Sequence, residues 1–307
     1  MILKRIRLMR LVALSAVLTC VAFASCDSGA SEATTPGRVV VDDLGNKVAV
    51  PAEVTRAVSL APNLTEIVFS VGAGDRLVGV TTFCDFPKEA KKIRKVGDTL
   101  KPNIESIVSL KPQVVFVSTA SQLEAFSKVL SDQGISVFVT NPSTLEGVYR
   151  GIGKIGEVFG KKKEAETLIK SLTKRIAATK QSLAQDGEPP RVFVQIDKSL
   201  YTIGKGSFIS DALKKIGLES VTSDIDNPYP KISKERARIL DPDVIVISDS
   251  PGNDAPNDAM EESKAVRQKR IYRIDADTLS RPGPRIVEAL ENIAELELEW
   301  RSANRKE

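Results

Sequence analysis

The sequence predicts an α/β protein: two Rossmann-like lobes with parallel sheets, joined by a single long backbone helix. Three observations predict it. Short apolar runs alternate with amphipathic helical patterns, which is the signature of an α/β layer fold. The stretch "NIESIVSLKPQVVFVS" (103–118) recurs without a gap as "SKERARILDPDVIVIS" (233–248), so the chain holds two related halves. Between them, apolar residues recur every three or four positions from Leu145 to about residue 184, broken once at Gly160.

The elements follow in chain order. Residues 1–25 read as a signal peptide: Lys4, Arg5, Arg7 and Arg10 precede an apolar core at 11–23. That core is shorter than the ~20 residues a spanning helix needs. Cys26, directly after Phe-Ala-Ser, fits lipoprotein processing, although Phe23 stands where most such sites carry leucine. The alternative is cleavage after Ala24, leaving Cys26 a free thiol. Residues 26–37 are small and polar and read as a lipidated tether. The first lobe is expected at 38–160. It opens on a hairpin, "VVVDDLGNKVAV", whose turn holds Gly45 and Asn46. "RAVSL", "RLVGV", "QVVFV" and "SVFVT" are short apolar runs of the buried parallel type. "NLTEIVFSVGAG" is a helix closed by Gly72. A linking helix at 161–185 would extend about 36 Å at 1.5 Å per residue. "DGEPP" ends it, and the second lobe is expected at 186–307, starting afresh with "RVFVQI".

Composition removes several functions. The formal charge of +4 comes from 44 basic against 40 acidic residues, and the excess is the four cations before Cys26. The remaining chain is balanced, so attraction to nucleic acid has no net-charge basis. Of three cysteines only Cys84 lies beyond the leader and Cys26, so no intramolecular disulfide is expected. There is no histidine, hence no Ser-His or Cys-His pair and no imidazole metal cluster. "GKGSF" around Ser207 lacks the second glycine of a hydrolase elbow. "GIGKIG" (151–156) matches the dinucleotide fingerprint formally, but it lies inside a helical pattern without the preceding strand that its mechanism needs.

The repeat places Glu105 opposite Glu235, each in a first helical turn after an N-cap, Asn103 or Ser233. A carboxylate there complements the helix dipole. It can equally be an acidic knob presented by each half to a symmetric partner.

"RAVSLAPNLTEIVFSVGAGDRLVGVTTFCDFP", "KVGDTLKPNIESIVSLKPQVVFV" and "RIYRIDADTLSRPGPRIVEAL" resemble the ABC-transporter substrate-binding proteins for cobalamin and ferric siderophores, from about Arg38 to Trp300. The resemblance implies two lobes on a rigid backbone helix, a monomer that catalyses nothing, and a dimeric permease with its ATPase as partner. It implies that Glu105 and Glu235 dock into arginine pockets of that permease. It also implies that Phe83 and Tyr229 stack on a large planar ligand while Asp277 and Arg281 contact its periphery. Each has a plainer counterpart: Phe83 and Phe86 in the core, the core placement favoured for Phe86, and the arginines paired with Asp275 or Asp277. Cobalamin binders of the family often line the cleft with tryptophan, and here the one tryptophan, Trp300, falls in the last helix. Cobalamin or a related corrinoid leads. A ferric siderophore facing Arg281 and Arg285 is second, and haem is third for want of histidine. An envelope lipoprotein enzyme working through carboxylates is the rival class, and an adhesion or scaffold lipoprotein the third. No cofactor, resident metal or nucleic acid is expected, since Cys84 alone is a poor metal site. Asp27 after the acylated cysteine would favour the inner membrane in a Gram-negative envelope.

Overall fold

The computed structural model describes residues 37–119, 123–184 and 188–304. The leader, Cys26 and Asp27 lie outside them. A hairpin comes first, β1 (Arg38–Val41) antiparallel to β2 (Lys47–Val50). Alternation turns Val40, Val48 and Val50 inward. Gly45, at φ +85, supplies the left-handed turn, and the Asp42 carboxylate accepts the Leu44 and Asn46 N–H groups at 3.0 and 2.8 Å.

Two four-stranded sheets follow. The first contains β3 (Ala57–Ser59), β4 (Leu77–Val80), β5 (Val114–Ser118) and β6 (Ser136–Thr140), in the order β4-β3-β5-β6. The second contains β7 (Arg191–Gln195), β8 (Glu219–Ser220), β9 (Val244–Asp249) and β10 (Ile271–Asp275), in the order β8-β7-β9-β10. All pairings are parallel. By rank along the chain both sheets read 2-1-3-4, so the repeat visible in 16 positions extends to the whole topology. Parallel strands need cover on both faces. In β5, Val114 and Phe116 serve one core and Val115 and Val117 another.

The helices are α1 (Pro62–Ser70), α2 (Ile104–Ser109), α3 (Leu123–Asp132), α4 (Leu145–Val158) and α5 (Lys162–Leu183) in the first part of the chain. Then come α6 (Phe208–Lys215), α7 (Lys234–Leu240), α8 (Lys264–Arg267), α9 (Ala276–Ser280) and α10 (Ile286–Asn304). Between α4 and α5 the chain turns at Gly160, φ +68. The "GIGKIG" glycines lie within α4, and Gly156 serves packing: a Cβ there would sit 2.5 Å from the Ala165 Cβ of α5. Helix α5 extends about 33 Å. It is fastened to α10 by Arg175–Glu291 and at its end by Arg301, whose Nη1 donates to the Leu183 carbonyl at 3.1 Å.

The halves also touch directly. One core cluster runs from Val114, Phe116 and Ile152 through Leu172 to Val194, Ile209 and Val246, spanning both sheets. Helices α4 and α6 are joined by Lys215–Glu146 and by the Leu145 N–H on Asp211.

Candidate ligand-binding and docking site

The two glutamates are held by matching hydrogen bonds. Asn103 Oδ1 accepts the Ser106 N–H at 2.8 Å, and Ser233 Oγ accepts the Arg236 N–H at 3.1 Å, which starts α2 and α7. Each helix ends at a left-handed residue, Lys111 (φ 47) or Asp241 (φ 38), 130 positions apart, and a proline follows. One arginine closes each break. Arg56 Nε and Nη2 donate to the Leu110 carbonyl at 2.9 and 2.6 Å, and Arg191 Nη2 donates to the Leu240 carbonyl at 3.2 Å. Gln113 and Asp243 then accept the Arg56 and Arg191 N–H groups at 3.0 and 2.9 Å, pinning the neighbouring strand.

The glutamate ends stand at the carboxyl ends of the strands. The Asn103 N–H donates to Val96 and the Val96 N–H to Val80, the last residue of β4. The Ile232 N–H donates to Leu200, in the loop that returns to Ile196 directly after β7. Glu105 and Glu235 are both exposed. The carboxyl of Glu235 is held below its ordinary range by its own N–H and the Ser233 hydroxyl. Beyond the glutamates the helices differ: Arg238 and Ile239 stand where α2 has Val108 and Ser109, and Ile239 is 71 % exposed.

Phe83 follows β4 and Tyr229 follows β8, so the two aromatics occupy corresponding loops of the two halves. Phe83 is 58 % exposed and Tyr229 43 %, although an apolar ring gains by burial. Burial also pushes the Tyr229 phenol up to about 12. Phe86, expected in the core, is not there: it is exposed, with the Arg285 guanidinium 4.1 Å above its ring. The sequence reading missed exposed Tyr201, whose ring carries the Lys231 ammonium at 5.5 Å. Cys84 is buried between the Thr65 and Thr81 hydroxyls, 3.1 Å from each. Trp300 donates to the Gln268 carbonyl and stacks under Arg270, both just before β10 and so at the opposite end of that sheet.

Arg281 and Arg285, expected to face ligand oxygens, meet protein carboxylates. Both reach across to Glu66 on α1, which sequence reasoning overlooked. Arg285 Nε and Nη2 donate to its two oxygens at 3.0 and 2.7 Å, and Arg281 Nη1 donates at 3.0 Å. Arg281 also binds Asp85 at 3.0 Å and Asp277 at 2.7 Å, and its Nη2 approaches the Phe83 carbonyl at 3.4 Å. The Glu66 side chain is 1 % exposed and those of Arg281 and Arg285 are 12 and 14 %. A charge in the run "NLTEIVFS", among residues that go to the core, was the available signal, since such a group must be paired. Burial pushes the Asp85 carboxyl up, but the hydrogen bond and charge of Arg281 outweigh it and hold it low. Glycosidase-type chemistry needs one carboxyl kept protonated, so Asp85 is tuned the wrong way for it.

Two surface grooves, of about 440 and 650 Å³, lie elsewhere, one between β2, α3 and β6 and one beside α7; neither is lined by Phe83 or Tyr229. Among the described residues no group of three or more His, Cys, Asp or Glu side chains can hold a metal ion, and no helix is long and apolar enough to cross a membrane.

Residues 58–278 match the family described as periplasmic binding protein. Over 280 residues, 88 % of each chain, the sequence is 36 % identical to an uncharacterized ABC transporter substrate-binding lipoprotein, YvrC, of Bacillus subtilis. A vitamin B12-binding protein of Vibrio cholerae is 27 % identical over 249 residues, 80 % of this chain and 90 % of its own. A solved structure from Staphylococcus epidermidis, described as a possible iron-binding periplasmic solute-binding protein, superposes with a TM-score of 0.70 at 27 % identity, covering 80 % of this chain and 99 % of that one.

Proposed function

The chain belongs to the periplasmic binding protein family, and from that premise we propose that it captures cobalamin or a related corrinoid and hands it to an ABC permease. Substrate-binding components of ABC importers bind a small ligand outside the cytoplasm, work with a permease and its ATPase, and are not enzymes. The ligand is the finer step. It rests on one observation: exposed Phe83 and Tyr229 stand on corresponding loops of the duplicated halves, which is how a flat ligand is gripped from two sides. The name of the Vibrio cholerae relative points the same way.

In this reading residues 38–160 and 186–307 are the lobes and 161–185 the linking helix. Cys26 carries the lipid that holds a monomer to its membrane, a reading supported by the lipoprotein relative. Asp277 and Arg281 border the ligand, with Arg281 and Arg285 tying that border to Glu66. Glu105 and Glu235 face the permease, one from each half. A ferric siderophore is the second reading, favoured by the iron-binding description of the Staphylococcus epidermidis structure.

Native mass spectrometry of the purified chain, challenged with cobalamin, cobinamide, hydroxamate and catecholate siderophores and haem, tests the ligand. Phe83→Ala or Tyr229→Ala is expected to weaken corrinoid binding roughly tenfold each. Retention of the iron chelates alone would overturn the corrinoid assignment. Glu105→Ala with Glu235→Ala is expected to abolish uptake and leave affinity intact; persistent uptake removes the docking roles.

A further inference from the structure

We propose that the border of the ligand site beside Phe83 selects against anionic ligands through Asp85 and Asp277, and accepts ligands whose periphery donates hydrogen bonds. This rests on Phe83 being a ligand contact, as proposed above. Arginines in a binding loop ordinarily suggest an anion, and here burial reverses that expectation. Five charged side chains are bonded together beside Phe83, Arg281 and Arg285 against Glu66, Asp85 and Asp277, a cluster with one net negative charge; Lys91 acts on Asp85 from outside it, and the Lys95 ammonium is taken up by the Cys84 and Ala90 carbonyls. The sign of each layer matters more than the total. The arginine side chains are 12 and 14 % exposed, with Arg285 engaged by Glu66 and the Phe86 ring and Arg281 by three carboxylates and the Phe83 carbonyl. The Asp85 and Asp277 side chains are 48 % exposed. Cations therefore form the floor, and carboxylates form the surface that a ligand edge meets.

An ionised carboxylate is an acceptor only. Carboxamides and ammonium groups can donate to it, whereas a ligand carboxylate or catecholate oxygen brings like charge against like charge. On the second half, Lys231 is the nearby counterweight, and its ammonium faces the Tyr201 ring. Discrimination is thus assigned to the Phe83 side of the site.

The test measures binding of five probes to the purified full chain at pH 7 by native mass spectrometry with titration. Two are uncharged at their edges, cyanocobalamin and a ferric trihydroxamate. Three are anionic: a cobalamin monocarboxylate, in which one carboxamide is hydrolysed to an acid of the same shape, a ferric tricatecholate, and haem. The monocarboxylate is expected to bind at least tenfold more weakly than cyanocobalamin. Asp85→Asn with Asp277→Asn is expected to shrink that ratio at least threefold, and thermal melting of the double variant controls for folding. Equal affinity for amide and acid, tighter binding of any anionic probe than of both neutral ones, or an unchanged ratio in the folded double variant overturns the proposal. Binding of the neutral trihydroxamate without cyanocobalamin overturns the corrinoid reading and upholds this one. Failure of all five probes overturns both.

Discussion

Replacing Glu66 with alanine tests whether the two halves are locked by charge. The Glu66 carboxylate accepts three hydrogen bonds of 2.7–3.0 Å from two arginines more than 200 positions away. Removing one partner of a buried ion pair costs about 3–5 kcal/mol, because the charge left behind is neither solvated nor compensated. Arg281 keeps Asp85 and Asp277, but Arg285 loses its carboxylate and retains the Phe86 ring. The lower end, about 3 kcal/mol, is therefore the expectation. With a urea slope of about 3 kcal/mol per molar, the unfolding midpoint should fall by about 1 M. Equilibrium unfolding followed by circular dichroism reads this directly. Glu66→Leu combined with Arg285→Met should recover part of the loss, since an apolar pair can replace a buried ion pair at little cost. A single-variant loss below about 1 kcal/mol, or a double variant worse than the single, would refute the reasoning, because exposed pairs contribute no more than that.

The remaining predictions concern packing and acid stability. Gly156→Val should cost about 1–3 kcal/mol by forcing α4 from α5, whereas Gly151→Ala, with nothing within 4 Å of its Cβ, should be neutral or stabilising in thermal melts. For Asp243 burial pushes the carboxyl up, but Lys264 and the Arg191 N–H outweigh it and hold it low. A lowered carboxyl contributes stability above its unfolded value near ~3.9, and that contribution is lost as pH falls through the folded value. Asp243→Asn should therefore lower the melting temperature at pH 7, and the gap to the parent chain should close as pH falls from the unfolded carboxyl value through the lowered folded one; a constant gap would reject that origin.

Most of the fold was legible because each element carried its own signal. Short β-branched runs gave β4, β5 and β6; "NLTEIVFSVGAG" gave α1 with its stop at Gly72; and the three- and four-residue period gave α4 and α5 with the turn at Gly160. The repeat gave the matched helices of Glu105 and Glu235 because caps and proline breaks are local chemistry. What escaped was long-range. Nothing near Glu66 in sequence says that its partners lie at 281 and 285, and nothing near Arg281 says that its guanidinium is buried. Phe86 was placed in the core on hydrophobicity alone, yet Arg285 holds it at the surface. In the ligand region the sequence supplied residue types, while burial fixed which charge faces outward.

Height and separation of the two glutamates are set in different ways. Their height above each sheet is a local property, fixed twice by one device: a left-handed residue, a proline, and an arginine on the leucine carbonyl. Their separation is not local. It depends on how the halves are held, through α5, through the core shared by both sheets, and through Glu66 with Arg281 and Arg285. Under the docking roles proposed above, a carrier that presents two knobs to a dimeric partner cannot let that separation drift, because matched charges specify register only between rigid surfaces. The charge cluster also borders the Phe83 loop, so the structure that fixes knob spacing is the structure that a ligand would touch.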